Sequence, residues 1–251
     1  MSGLPPHARR KLLDAVAPLA ADPDDPLIAG AEIDSARYRI VREIGRGGMG
    51  VVYEAFDRTL GRRVALKVLT GTAGMGADAR ARFLREAQAA ARLSHPNIAA
   101  VYDASPEVIA MQLVEGRTLA ELSWDDPRAL AAVVRDAALA VHAAHQQGIV
   151  HRDLKPANLM VETAPDDGAA GRAPHVFVMD FGLAKETAVD SSLSTSGSIL
   201  GTPAYMSPEQ ASGRRRDVDA RSDVYALGAT LYDCLAGHAP FAERAGSASA
   251  P

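Results

Sequence analysis

The chain has 251 residues, 47% of them hydrophobic, and its 27 basic and 31 acidic side chains leave a formal charge of −4. That size suits one large domain or two lobes, and the near-balanced charge leaves no basic footprint for nucleic acid and no polybasic membrane arm. One cysteine, Cys234, excludes an internal disulfide framework and a Cys-based zinc site; no apolar h-region follows Arg9, Arg10 and Lys11, and no run approaches the roughly 18 apolar residues of a membrane span, so a soluble, cytoplasmic protein is expected.

Residues 1–36 read as an extension. "HARRKLLDAVAPLAA" is weakly amphipathic and interrupted by Pro18. "DPDDP" then breaks any helix, since a proline disfavours α conformation in the residue before it. The segment is a partly disordered tail or a short docking helix, and the tail is favoured. From Tyr38 the texture changes. "YRIVREIG" and "VVYEAFD" flank a glycine cluster and "RRVALKVL" follows, with the alternation and β-branching of three antiparallel strands. "GMGADARARFLREAQAAARL" predicts a helix with Phe83, Leu84, Ala87, Ala90 and Ala91 on one face. "AAVYDA" and "VIAMQLV" predict two more strands. Pro127 to Gln147 predicts a helix whose stripe is Leu130, Val133, Val134, Ala137, Ala138 and Val141, stopped by Gly148. "LMVE" and "HVFVMD" read as short strands around a surface insertion, "TAPDDGAAGRAP". A Ser/Thr/Gly-rich loop and one helix, Arg221 to Ala236, complete the chain, and there are no internal repeats.

Four stretches carry chemistry. "GRGGMGVVYEAFD" holds Gly45, Gly47, Gly50 and Val52 in the spacing G-x-G-x-x-G-x-V, and glycines let backbone approach a phosphate without side-chain clash. Alone the pattern is weak and also describes a flexible hairpin. A dinucleotide-binding reading needs a helix after the glycines; a strand follows here, so a β-hairpin flap fits better. "VALKVL" places Lys67 among apolar strand neighbours, with Ala65 and Leu69 on its own face. An ammonium there calls for an anion, such as ATP phosphates or a carboxylate; the plainer reading is a lysine snorkelling at a sheet edge. Glu86 is the candidate carboxylate and by itself an ordinary helix glutamate. "HRDLKPAN" sets Asp153 and Asn158 five apart, with Lys155 between them. The carboxylate suits the proton of an attacking hydroxyl, the amide oxygen suits Mg²⁺, and the ammonium suits a transferring phosphoryl group. Asp180 of "DFG" supplies a second oxygen ligand, although that tripeptide alone is usually a turn after a strand. The joint occurrence in this order makes the signal strong.

Together these motifs, with "GTPAYMSPE" and "SDVYALG", resemble the eukaryotic-type (Hanks-type) Ser/Thr protein kinases, particularly the bacterial members, from about Tyr38 to Phe241. The resemblance implies an α+β, two-lobed fold: a small antiparallel β lobe with one main helix, then a mostly helical large lobe. It implies a small lobe and hinge over 37–116 and a large lobe over 117–251, with a linker-like tail from about 242. It implies transfer of the γ-phosphoryl group of ATP to Ser/Thr hydroxyls of proteins, with Mg²⁺, or Mn²⁺ in its place. Asp153, Lys155, Asn158, Lys67, Glu86 and Thr202 would be catalytic, and Asn158 and Asp180 the metal ligands. Ile44, Gly45, Gly47, Gly50, Val52, Ala65, Lys67, Met111, Gln112, Val114, Leu159 and Asp180 would line the nucleotide site, with Met111 as gatekeeper, Gln112 to Val114 as hinge, and Ala65 and Leu159 sandwiching adenine. Gln112 departs from the glutamate common at the hinge start. Asp223 would brace the catalytic loop. Arg152 would hold a phosphate on the loop bearing Ser191, Ser192, Ser194, Thr195, Ser196 and Ser198, with self-association for autophosphorylation; a flexible serine-rich loop is the alternative. Basic "GRRR", Gly213 to Arg216, reads first as a solvated loop and second as a binder of substrate acids.

The resemblance also sets an expectation of incompleteness, because the family continues past "AGHAPF" with further helices and this chain ends in "AERAGSASAP". Val224, Ala226, Leu227, Ala229, Leu231, Cys234 and Leu235 cover nearly all faces of the last helix, which therefore expects burial all round. Glu209 would lose a downstream arginine partner, with Arg214, Arg215, Arg216 or Arg221 as substitutes. Two functions follow: an active protein Ser/Thr kinase, or a non-catalytic ATP-binding or interaction fragment. A small-molecule kinase is a weaker third, since "GTPAYMSPE" builds a peptide-docking ledge in the family.

Overall fold

The computed structural model describes residues 37–47, 50–69, 76–162, 174–181 and 203–242. The expected extension, most of the insertion after Glu162, Gly182, the serines and threonine of 191–198, Thr202 and the tail lie outside the described residues. The described residues divide into two compact units: those within Met1–Ser94, Ile98–Val114 and Gly182–Leu200, and those within His95–Asn97, Glu115–Phe181 and Gly201–Pro251.

The first unit is built on an antiparallel sheet of β1 (Tyr38–Gly47), β2 (Gly50–Asp57), β3 (Arg62–Leu69), β4 (Val101–Ala104) and β5 (Val108–Gln112), in the spatial order β1-β2-β3-β5-β4. Period-two alternation assigns its faces. Val51, Tyr53, Ala55, Val64, Leu66, Val68, Val108 and Ala110 join Tyr38 and Ile40 in one apolar cluster. Each large side chain there contributes about 1.5–3 kcal/mol on burial. Val52, Ala65, Lys67, Ile109 and Met111 occupy the opposite face by the same alternation. Helix α1 (Ala77–Ala90) contributes buried Phe83, Ala87 and Ala90.

Two details fix the sheet. Gly50 has φ 146°, and a Cβ built there would stand 2.0 Å from the carbonyl oxygen of Val68. The third glycine of the flap is thus demanded by the close approach of β3. Arg37 clasps the other end: its guanidinium bonds Asp57 at 3.0 Å and Asp103 at 2.8 Å, while the amides of Thr59 and Leu60 also bind Asp57 at 3.0 and 3.1 Å. Burial pushes the Asp57 carboxyl up, but the Arg37 guanidinium and the Leu60 and Thr59 amides outweigh it and hold it below its ordinary range.

The second unit holds β6 (Gly116–Thr118), β7 (Leu159–Glu162) and β8 (Val176–Val178) in one small antiparallel sheet, with α2 (Pro127–His145), α3 (Pro208–Ala211) and α4 (Ala220–Ala236). Helix α2 starts at the Asp126 cap, whose carboxylate accepts the Arg128 N–H at 2.9 Å with Pro127 in the first turn, and it buries Leu130, Val133, Val134, Ala137, Ala140, Val141 and Ala144. Asp219 caps α4 through the Arg221 N–H at 2.8 Å, and Gly237, with φ 74°, ends it.

Strand β6 and helix α3 were not expected from the sequence. Three residues give no readable period, and α3 is a single turn set by Ser207 and Gln210. The remaining predicted elements are present: β1, β2 and α4 run slightly past their expected ends, β3 and β7 match them, and α1, α2, β4, β5 and β8 are shorter. Helix α4 buries Ser222, Asp223, Ala226, Leu227, Ala229 and Thr230 and leaves Val224 64%, Tyr232 47% and Leu235 56% exposed. Its all-round apolar character therefore meets solvent on one face.

Asp57→Asn is expected to lose about 2 kcal/mol, the scale of a hydrogen bond to a charged group. A carboxyl held low in the folded state stabilises fully above its unfolded pKa and less as pH falls through the folded value, so the deficit should shrink below about pH 4 in urea titrations. Gly50→Ala should cost about 3 kcal/mol by strain and overpacking, whereas Gly45→Ala, where a Cβ meets nothing within 4 Å, should change stability by under about 0.5 kcal/mol.

Candidate functional site

In the first unit the candidate binding residues fall on one register line. Gly45 pairs with Val52, Val52 with Lys67, and Lys67 with Ile109, so three candidates from successive strands sit side by side. Ala65 pairs with Met111 one step along the same face. Lys67 is only 7% exposed, which excludes a solvated edge lysine. A Cβ at Gly45 or Gly47 would meet nothing within 4 Å, so space lies beside both. Glu86 is half-buried on α1, Ile44 is exposed at the end of β1, and Val114 is buried. Gln112 is tied at both ends to one residue: its N–H donates to the Ala100 carbonyl at 2.8 Å, and its side-chain oxygen accepts the Ala100 N–H at 3.3 Å.

The second unit carries the polar loop between α2 and β7. Asn158 Nδ2 donates to the Asp153 carbonyl at 2.6 Å and to its carboxylate at 3.1 Å, and Lys155 Nζ lies 3.1 Å from the same carboxylate. The three candidates spaced along "HRDLKPAN" thus meet at one carboxyl group. Leu159, wholly buried, opens β7 opposite Val178. The Met179 N–H donates to the Asn158 carbonyl at 2.9 Å, so Asp180 follows directly on a segment bonded to this loop.

His151 explains how the loop and that segment are held. Its fully buried ring donates from Nε2 to the Met179 carbonyl at 2.8 Å and accepts the Asp153 N–H on Nδ1 at 3.2 Å. The carbonyl can only accept and the amide can only donate, which assigns the hydrogen to Nε2. The ring also packs 4.7 Å from Phe181. Sequence reasoning gave His151 no role, although its place beside Asp153 was visible.

Below the loop stands Asp223 of α4, with no exposed surface. Its carboxylate accepts the His151 and Arg152 N–H groups, each at 2.8 Å, and faces His145 Nε2 at 2.7 Å. A buried carboxylate is costly unless paired and hydrogen-bonded, and here three donors meet it. The arrangement matters because Arg152 has φ 67° and Asp180 φ 56°, left-handed conformations costing roughly 1–2 kcal/mol for a side-chain-bearing residue. Strain persists where surrounding bonds over-determine it, and it clusters at functional sites. Asp223 was expected as a brace; His145, one turn upstream of the loop, was not.

The segment after Thr202 is stitched to the same framework. Tyr205 donates to Asp233 at 2.5 Å, and burial together with that carboxylate pushes its hydroxyl pKa up. Glu209 was expected to lack a partner once its arginine was missing. Instead it is half-buried and accepts the Ser222 hydroxyl, and that bond leads the effects holding it below the ordinary glutamate range. Among the described side chains its hydrogen bond is to Ser222 rather than to a basic residue, and Arg221 acts on it only through charge.

The family model "Protein kinase domain" matches residues 38–250. The serine/threonine-protein kinase PknJ of Mycobacterium bovis is 44% identical over 223 residues, covering 86% of this chain and 36% of the relative. The serine/threonine-protein kinase PknB of Mycobacterium leprae is 43% identical over 219 residues, covering 82% and 33%. The chain therefore spans about a third of the length of the curated relatives it matches. The crystal structure of the Mycobacterium tuberculosis PknI kinase domain superposes with a TM-score of 0.65 at 31% identity, covering 84% of this chain and 79% of that one.

Asp223→Asn leaves one oxygen for two amides and turns an NH₂ toward a donor. It should cost about 3 kcal/mol, the low end for breaking a buried charged pair. Thermal melting reads the loss, and hydrogen exchange at His151 and Arg152 should accelerate with it.

Proposed function

The chain belongs to the protein kinase family, and from that premise we propose that it transfers the γ-phosphoryl group of ATP to serine and threonine hydroxyls of proteins. The observation that carries the proposal is the meeting of Asp153, Lys155 and Asn158 at one carboxyl group within a loop held by Asp223. Phosphoryl transfer asks a protein mainly for positioning and electrostatics.

The residues present suit Mg²⁺ and ATP. Engagement of Asn158 Nδ2 on Asp153 directs the amide oxygen away from that carboxylate, and amide and carboxylate oxygens are the donors a hard cation prefers. Asn158 and Asp180 would hold the metal, with Mn²⁺ as a substitute. The space beside Gly45 and Gly47 accommodates phosphate oxygens. When bound, Mg·ATP supplies the phosphoryl group and the metal charge that offsets its oxygens. Asp153 orients the attacking hydroxyl and accepts its proton; Asn158 and Lys155 keep that carboxylate in place. Lys67 presents a buried ammonium to phosphate, with Glu86 as its carboxylate partner. Because Ala100 occupies the N–H of Gln112, recognition of adenine falls to the Gln112 carbonyl and to the backbone through Val114, with Ala65, Leu159 and Met111 as apolar walls and Ile44 and Val52 beside them. Thr202 would help seat the substrate hydroxyl. Protein substrates, rather than small molecules, follow from the segment around Pro203–Ala211, and autophosphorylation in Ser191–Ser198 would give Arg152 a phosphate to pair with. A cytoplasmic setting accords with this supply of ATP.

A second reading, a non-catalytic ATP-binding or interaction fragment, draws on the exposed apolar side chains of α4. Melting with and without Mg·ATP, followed by a phosphotransfer assay on a basic protein, separates the two. The kinase reading expects ATP stabilisation and transfer that falls at least about 100-fold in Lys67→Ala and Asp153→Asn, with phosphate found by mass spectrometry in 191–198. A folded, ATP-stabilised chain that transfers nothing would favour the second reading.

A further inference from the structure

We infer that Gln210 is a positioning residue for the base Asp153, acting by holding the carbonyl end of the Arg152 peptide; this rests on the kinase reading above. Gln210 lies in the short helix α3, where its side-chain oxygen accepts both the Ser207 N–H at 3.1 Å and the Ser207 hydroxyl at 3.2 Å. That half of the amide is an ordinary capping box. The other half does something a cap does not require. Gln210 Nε2 donates to the Arg152 carbonyl at 2.8 Å, across 58 residues of sequence. The amide orientation is fixed by chemistry, since the Ser207 N–H can only donate and the Arg152 carbonyl can only accept.

Arg152 is where such a bond matters. It stands in the left-handed region at φ 67°, immediately before Asp153. Its N–H is held by Asp223 at 2.8 Å and its carbonyl by Gln210 at 2.8 Å, so a strained residue is gripped at both polar groups. The Arg152 carbonyl belongs to the same peptide plane as the Asp153 N–H, which meets His151 Nδ1 at 3.2 Å. Rotating that plane would swing the Asp153 backbone and misdirect its carboxylate. Gln210 therefore ties the segment after Thr202 to the orientation of the base. Ser207, with no exposed surface, anchors the amide from its other end.

The two halves of Gln210 can be separated. Glutamate serves a capping box as glutamine does, so Gln210→Glu keeps the acceptor for Ser207 while a carboxylate oxygen replaces the donor facing the Arg152 carbonyl. Gln210→Met keeps the length and loses both. For a positioning residue, Gln210→Glu should melt within about 2 °C of the parent yet lose roughly 10- to 100-fold in kcat, with KM for ATP within twofold. Gln210→Met should lose kcat similarly and also melt lower. Hydrogen exchange at the Asp153 amide should quicken about tenfold in both variants, and this readout needs no activity. If the parent transfers no phosphate, the kinase reading fails and the exchange result alone decides the positioning claim. Gln210→Glu retaining kcat within twofold, or Asp153 exchange unchanged in both variants, would overturn it.

Discussion

Asp223 is a carboxylate removed from water, and the local geometry of the polar loop depends on how its charge is compensated. Two backbone N–H groups and the His145 imidazole converge on it. Water is absent as a competitor, so those bonds are strong, and losing any donor leaves a buried charge short of a partner. The pair of amides belongs to His151 and Arg152, so one side chain of α4 sets the path of the chain just before Asp153. From there the order spreads: His151 reaches the Met179 carbonyl, Asn158 accepts the Met179 N–H, and Asp180 follows in its own left-handed conformation. The loop is specified by a buried network rather than by local turn propensity.

The first unit solves a different problem, that of keeping a lysine ammonium away from solvent without exposing the sheet. Alternation does most of it. Val64, Leu66 and Val68 enter the apolar cluster, and Lys67 necessarily takes the other face beside Val52 and Ile109. The glycine flap is held to β3 at Gly50, while the positions of Gly45 and Gly47 stay open. One glycine of the motif thus serves strand packing, and at the other two an added Cβ would meet nothing within 4 Å.

The segment from Pro203 to Ala211 belongs energetically to α4. Tyr205 bonds Asp233, Glu209 bonds Ser222, and Gln210 crosses to Arg152. A serine hydroxyl meets the carboxylate for which an arginine was anticipated. Since Glu209 is only half-buried, solvent shares in compensating its charge, and a full counter-ion is not required.

Much of this was legible in the residues. Alternation in "RRVALKVL" and the stripe of Pro127 to Gln147 predict elements because burial on one face imposes a period on the sequence. The grouping of Asp153, Lys155 and Asn158 was legible because a short loop keeps chemically matched side chains within reach of each other. His145, His151 as a brace, Ser222 and Gln210 were not legible. His151 and Gln210 act on backbone carbonyls 28 and 58 residues away, and a backbone group leaves no signature in the sequence; His145 and Ser222 act on carboxylates 78 and 13 residues away, beyond any local period. The residue order alone therefore determined the strand and helix types, the family resemblance and the candidate reacting groups, all of which rest on local period and spacing. Only the tertiary structure decided which carboxylate is buried, which amides it holds and why Arg152 can stay strained, because those depend on long-range contacts that desolvate a charge and bring its donors together.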